Sequence, residues 1–169
     1  AGHKKVTDLH GRLDQVVCMD CGLLTSREEI QAWLLQHNPQ LARMETIETA
    51  LRPDGDAEVR DEFVHEIKVP QCPRCNGLLK PNVVFYGSSV NKEVVNYLFN
   101  GLQKAKALLV IGTSLMVYSS FRFCKYASEN KIPIACINEG LTRADSLFSL
   151  KVEGDCSDVL NQSTGCLLD

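Results

Sequence analysis

Two Cys-x-x-Cys pairs, Cys18-Met19-Asp20-Cys21 and Cys72-Pro73-Arg74-Cys75, constrain this chain more than any other feature of its sequence. Each pair puts two thiols on one tight turn, and Gly22 and Gly77 follow closely, glycine being the residue that accepts the positive φ such a turn needs. Four thiolates suit a tetrahedral zinc at ~2.3 Å, and an all-cysteine set leaves no open coordination position, so such a site is structural. Residues 22–71 between the pairs exceed the ~15–20 residues usual for this arrangement. Redox or disulfide pairing is the other reading of the spacing, disfavoured because two matched pairs seldom arise without a shared metal.

The chain has 169 residues, which accommodates one core and a small inserted module. Leu, Ile, Val and Phe together lie well above the roughly 20% below which chains fail to bury a core. A net charge of −3, with no run of like charges, excludes the basic footprint expected of a nucleic-acid or anionic-lipid binder. No stretch reaches the ~18–20 apolar residues that span a bilayer, so no membrane partner is expected. Eight cysteines fall short of the ~8–10% found in disulfide scaffolds, which again favours metal.

Residues 1–17 end in Val16-Val17, where composition shifts toward cysteine and turn residues and a boundary is expected. The capping box Ser26-x-x-Glu29 precedes Ile30, Trp33, Leu34 and His37, which predicts a helix that Asn38-Pro39 ends. From Pro39 to Pro70 the pattern is weak and suggests an exposed excursion with a turn at Arg52-Pro53-Asp54-Gly55-Asp56. After Pro81 the apolar run Val83-Val84-Phe85-Tyr86, a helical pattern through Val94, Val95, Leu98, Phe99 and Leu102, and the run Ala107 to Ile111 read as strand, helix, strand. A second helix near Ser119 to Glu129 and the run Ile132 to Ile137 extend this to β-α-β-α-β, a parallel sheet to which Leu150-Lys151-Val152 adds a strand.

In open parallel sheets ligands bind beyond the carboxyl ends of the strands. Here those ends read Phe85-Tyr86-Gly87-Ser88, Ile111-Gly112-Thr113-Ser114 and Ile137-Asn138-Glu139-Gly140. Gly112 permits close approach of a phosphate or ribose, Thr113 and Ser114 offer hydroxyls, and Asn138 and Glu139 can bind sugar hydroxyls. A glycine after a buried strand is also an ordinary turn, and no G-x-G-x-x-G run is present. His10, beside Gly11, is by itself read more readily as a packed or exposed histidine than as a catalyst. Cys124 and Cys136 sit among apolar neighbours as small core residues.

Taken in order, His10-Gly11, the two cysteine pairs, Leu79-Lys80-Pro81-Asn82-Val83-Val84-Phe85-Tyr86-Gly87, Gly112-Thr113-Ser114-Leu115-x-Val117, Ile137-Asn138 and Gly154-Asp155-Cys156 resemble the sirtuin family along essentially the whole chain. The details Val117-Tyr118-Ser119 and Thr142-Arg143-x-Asp145 look like its mitochondrial class II branch, of sirtuin-four type. The resemblance implies an α/β fold: a Rossmann-like parallel sheet, incomplete in this chain, with an inserted small zinc-binding module. Residues 1–17 and 81–169 would belong to the NAD-binding catalytic domain, and residues 18–80 to the zinc module.

Carried over residue by residue, the resemblance implies His10 as catalytic base and Cys18, Cys21, Cys72 and Cys75 as zinc ligands. Gly112, Thr113, Ser114, Asn138, Glu139, Gly140 and Cys156 would contact NAD. An acylated-lysine protein substrate would lie as a strand between Phe85-Tyr86-Gly87 and the loop containing Val117, held by backbone pairing. Many sirtuins have an acidic residue where Ser88 stands. The implied reaction is that of an NAD-dependent protein-lysine deacylase or ADP-ribosyltransferase, in the mitochondrial matrix. The acyl oxygen attacks the ribose carbon as nicotinamide leaves, and His10 takes a ribose hydroxyl proton, a step suited to an imidazole. The family's Gly-Ala-Gly turn and Gln-Asn-x-Asp segment precede the catalytic histidine and have no counterpart before His10. The expectation is a C-terminal portion, inactive alone; the alternative is a non-catalytic zinc-stabilised interaction module.

Overall fold

The structure is a computed structural model and describes residues 3–41 and 65–165. Most of the excursion expected between Pro39 and Pro70 lies outside the described residues, as does Cys166. The chain divides into two compact units, His10–Ser88 and Ala1–Leu9 with Ser89–Asp169.

In the unit His10–Ser88, strands β1 (Gly11–Cys18), β2 (Leu24–Ser26) and β3 (Leu79–Val83) form an antiparallel sheet in the order β2-β1-β3. Helix α1 (Arg27–His37) starts where the capping box predicts, the Glu29 backbone N–H donating to Ser26 Oγ at 3.1 Å. Ile30, Trp33 and Leu34 are half-buried, whereas His37 is exposed and stacks on Trp33 with ring centres 3.9 Å apart. At the helix end the fully buried Asn38 is saturated: its Nδ2 donates to Leu34 O and Lys68 O, both at 2.9 Å, and its Oδ1 accepts from Lys68 N.

The apolar run Val83 to Tyr86 is not a strand of the parallel sheet. Strand β3 ends at Val83, pairs antiparallel with β1, and gives way to a loop from Val84. Its Pro81 lies opposite Val16, where the β1 register shifts, so the missing N–H falls at an irregularity of the ladder.

The second unit holds helix α2 (Lys92–Gln103), strand β4 (Leu108–Ile111), helix α3 (Tyr118–Glu129), strand β5 (Ile134–Ile137), a 3-10 turn at Asp145–Leu147, strand β6 (Leu150–Val152) and helix α4 (Cys156–Gly165). Its three strands are parallel in the order β4-β5-β6, with Ile111 opposite Ile137 and Ile137 opposite Val152. Sequence periodicity located α2, β4, α3 and β5, and the expected strand at Leu150–Val152 is present, whereas α4 was not foreseen. The core joins Leu102, Val110, Leu115, Cys124, Ala127, Ile134, Cys136 and Ala144, and Phe99 of α2 packs against Phe123 and Tyr126 of α3 at 5.0 Å. Burial raises the thiols of Cys124 and Cys136, as suits inert core residues. No helix among the described residues is long and apolar enough to cross a membrane.

Parallel pairing sets the carboxyl ends of β4 and β5 side by side, which is where the loops after Ile111 and Ile137 emerge. Ile134, which opens β5 opposite Leu108, is 1% exposed. Replacing it by alanine is expected to destabilise the chain by about 2–5 kcal/mol, as measured by chemical denaturation.

Candidate functional site

The four cysteines of the two pairs come together. Their sulfurs all lie within 4.8 Å of one another, with Cys18 to Cys75 at 3.5 Å and Cys21 to Cys72 at 3.7 Å. A tetrahedron with ~2.3 Å arms has edges of about 3.8 Å, so the set fits a structural zinc and leaves no open ligand position. The turns that present the sulfurs differ. In the first, Gly22 takes φ +70°; in the second, the left-handed residue is Asn76 at φ 58° and not Gly77 as the sequence suggested. A side chain at Gly77 would instead collide with the Asp20 carboxylate of the opposite turn.

Crowded thiols cannot all ionise without a cation. Burial works to raise the Cys72 thiol, yet the backbone N–H groups near Arg74 and Cys75 and the Cys18 and Cys21 sulfurs bring it down to about 7. Backbone N–H of Gly77 favours the Cys75 thiolate, but the Cys21, Cys18 and Cys72 sulfurs and burial push it up to about 12. A divalent metal inverts this opposition by holding all four as thiolates.

His10 immediately precedes β1, and its carbonyl accepts the Val84 N–H at 2.9 Å, one residue before Phe85. Its neighbour Gly11 is irreplaceable there: φ is +87° and any Cβ would strike the Asn82 carbonyl oxygen. The predicted substrate residues Phe85 and Tyr86 are 53% and 99% exposed, and the Ser88 N–H donates to Phe85 O at 3.0 Å to close the turn through Gly87. His10 and Phe85 to Gly87 therefore belong to one unit, and Val117 with the predicted nucleotide contacts belongs to the other.

In that second unit Gly112, Cys156, Asn138 and Gly140 converge. Ile137 O accepts the Gly112 N–H at 3.0 Å and the Cys156 thiol at 3.5 Å, and Asn138 N–H donates to Val152 O. Gly112 is exposed with φ +59°, and the Cys156 sulfur lies 3.5 Å from where a Cβ would stand, so that side of the glycine is in contact with Cys156. Thr113 Oγ1 accepts the Leu115 N–H, Ser114 and Glu139 are exposed, and Asn138 Nδ2 donates to Gly140 O at 2.9 Å.

Sequence spacing did not reveal what fixes these loops. Lys151 Nζ donates to Gly140 O and to Asp145 Oδ2, both at 2.9 Å, while Asp145 Oδ1 accepts from the backbone and hydroxyl of buried Thr142. Arg143 N donates to Ser114 O at 2.8 Å, tying the loop after β5 to the loop after β4. The only sequence signal was the pattern Thr142-Arg143-x-Asp145. The cavity on this unit, about 810 Å³, is apolar and runs along β4 between residues of α2 and α3, including Leu98, Leu102, Val110 and Phe123.

Two expectations follow. One zinc per chain is expected by metal analysis after purification without chelator, and Cys18→Ser is expected to lose it and unfold the module, since structural zinc contributes roughly 10 kcal/mol or more; metal-free, folded protein would contradict this. The second concerns acid. The Asp145 carboxyl is held below its ordinary value by the Thr142 hydroxyl and then by Lys151. A lowered folded value stabilises above the unfolded value near ~3.9 and is lost as pH falls through the folded value. Asp145→Asn is thus expected to lower the thermal midpoint at neutral pH, the difference from wild type closing below about pH 4.

Comparison with known proteins agrees with this geometry. The chain is 51% identical over 160 residues to an NAD-dependent protein deacetylase of Xanthomonas axonopodis pv. citri (strain 306), covering 95% of the chain and 54% of that protein. It is 42% identical over 160 residues to the human mitochondrial NAD-dependent protein lipoamidase sirtuin-4, again with 95% of the chain and 50% of the relative covered. The chain thus spans about half the length of these relatives. A solved structure of Sir2 with a p53 peptide and NAD+ superposes with a TM-score of 0.68 at 21% identity, over 98% of this chain and 57% of that one. Sir2Tm bound to a propionylated peptide gives a TM-score of 0.66 at 22% identity, over 95% and 55%. These two likenesses show the Rossmann-like α/β fold. The Sir2 family profile matches residues 1–119, well over half of the chain, and the chain therefore belongs to the Sir2 family.

Proposed function

We propose that this chain supplies the general base, the zinc module and the adenosine-side loops of an NAD-dependent protein-lysine deacylase or ADP-ribosyltransferase. The 51% identity to a protein named as an NAD-dependent protein deacetylase carries this reading. NAD supplies a ribose carbon from which nicotinamide can leave. Gly112, Thr113, Ser114, Asn138, Glu139, Gly140 and Cys156 hold its adenosine side, their loops fixed by the Lys151, Asp145 and Thr142 contacts. Phe85, Tyr86, Gly87 and Val117, all exposed, are the residues that meet an acylated-lysine protein. His10 accepts a ribose hydroxyl proton, which makes that oxygen the nucleophile toward the acyl group.

Zinc takes no part in the chemistry of this reading. Residues 1–17 and 81–169 form part of the NAD domain and residues 18–80 the inserted zinc module. The β1–β3 ladder straddles both boundaries as the stem of the insertion. The narrower class II, sirtuin-four type and a mitochondrial matrix location rest on Val117-Tyr118-Ser119, on Thr142-Arg143-x-Asp145 and on 42% identity to the human relative, beside higher identity to bacterial deacetylases. Fractionation of source cells tests the location.

General-base catalysis contributes typically ~10²–10⁴-fold, and only when the ribose is held within hydrogen-bond reach. Nicotinamide release from NAD with an acylated peptide is the test. The 169 residues alone are expected to be nearly inactive, and the same residues joined to the part of the Xanthomonas relative they do not match are expected to turn over. His10→Tyr in the joined protein should reduce release by at least about 10²-fold with zinc content unchanged. Full activity of that variant would refute the role given to His10.

A further inference from the structure

The two sequence details Val117-Tyr118-Ser119 and Thr142-Arg143-x-Asp145 meet in space through Arg143, to which the proposed reaction gives no role. Arg143 Nη1 donates to Met116 O at 2.9 Å, and its guanidinium lies 4.5 Å from the centre of the Phe121 ring and 5.9 Å from that of Tyr118. Arg122 lies over the same Tyr118 ring at 5.4 Å. Two cations therefore share one tyrosine that is half exposed.

Neither arginine pairs with a carboxylate among the described residues. Arg122 Nε is buried with no hydrogen-bond partner. Asp145, the acid nearest Arg143 in sequence, is committed to Thr142 and Lys151. Two guanidiniums on one aromatic ring, with no carboxylate partner among the described residues, offer a carboxylate the two-pronged N–H geometry that suits arginine. The aromatic faces hold each guanidinium in place, so little freedom is lost when an anion arrives. Around the cations Met116, Val117 and Leu141 are 60%, 49% and 80% exposed, an apolar surround for the stem of an acidic side chain.

We propose that Arg143, Arg122 and Tyr118 form a subsite for a carboxylate side chain of the protein substrate, so that this chain selects acyl-lysines in acidic sequence. The inference rests on the reading of Val117 as bordering the bound peptide. A peptide strand advances ~3.3 Å per residue, so an arginine anchored on Met116 O reaches a side chain within about two residues of the acyl-lysine.

The experiment uses three fluorescent acetyl-lysine peptides that differ only in the two residues on each side of the lysine: all Glu, all Gln or all Lys. Binding by anisotropy is expected to favour the Glu peptide over the Gln peptide by about five- to tenfold at low salt, with the Lys peptide weakest, and the preference should shrink as salt is raised. Arg143→Gln with Arg122→Gln should bring the ratio of Glu to Gln affinity close to one. Equal binding of the Glu and Gln peptides to the unaltered protein overturns the proposal, a result that needs no variant to fold. So does an absence of measurable binding by every peptide, or a preference that survives the double substitution. Nicotinamide release, measured on the joined protein, separates this from the proposed reaction. Release without a Glu preference sinks the subsite alone, and a Glu preference without release from any peptide supports the subsite and sinks the reaction.

Discussion

Four sulfur atoms within 4.8 Å of one another are the constraint on which the unit His10–Ser88 rests. Among its described residues Val16 and Pro70 are the buried apolar side chains besides the cysteines, and the others buried are Cys18, Cys72, Gly77 and Asn38. A unit with so small an apolar core draws its folding free energy from elsewhere, and a metal that joins two distant turns is a sufficient source. The consequence reaches His10. The ladder that begins with Cys18 opposite Leu79 at the metal junction ends with Gly11 opposite Val83, and His10 follows directly. The position of the proposed base is thus set by a strand pairing whose far end is anchored by the cysteines.

Periodicity and capping chemistry were enough to read α1, α2, α3, β4 and β5, whose apolar residues recur at helical spacing or in an unbroken run, and β6 was read from the short triplet Leu150-Lys151-Val152. They failed at β3. Val83 to Tyr86 has the composition of a buried strand, yet the segment that pairs is Leu79 to Val83, carrying Lys80, Pro81 and Asn82. Its partner and its irregular register with β1 decide the matter, and neither is written in local sequence. The second cysteine turn shows the same limit: a glycine two residues past Cys75 suggested the left-handed position, but Asn76 occupies it, while Gly77 is small to clear Asp20.

The chemistry-bearing residues were more legible than what holds them. Gly112 and Asn138 could be named because loops at the carboxyl ends of parallel strands have recurring needs, whereas Cys156 entered only through the family resemblance; the structure gathers all three around the Ile137 carbonyl. Lys151 could not be named. It lies in a strand, and its contacts with Gly140 and Asp145 exist only because β6 runs parallel to β5 and brings its ammonium beneath the returning loop. Residues that position a loop depend on tertiary neighbours, so they leave a weaker mark in sequence than residues that touch a ligand.

Strand β4 leaves an apolar edge open on the parallel sheet. Parallel strands are stable when both faces and both edges are covered, and in this sheet β4 is one of the two outer strands, with Leu109 and Ile111 53% and 39% exposed beside an apolar groove of about 810 Å³. The relatives that share this sequence are about twice as long as the matched region. An apolar strand edge of this kind is a liability for an isolated chain and an asset where more protein packs against it. The loop that carries Gly112 leaves from the end of that same strand, so protein seated on β4 would border the proposed nucleotide site.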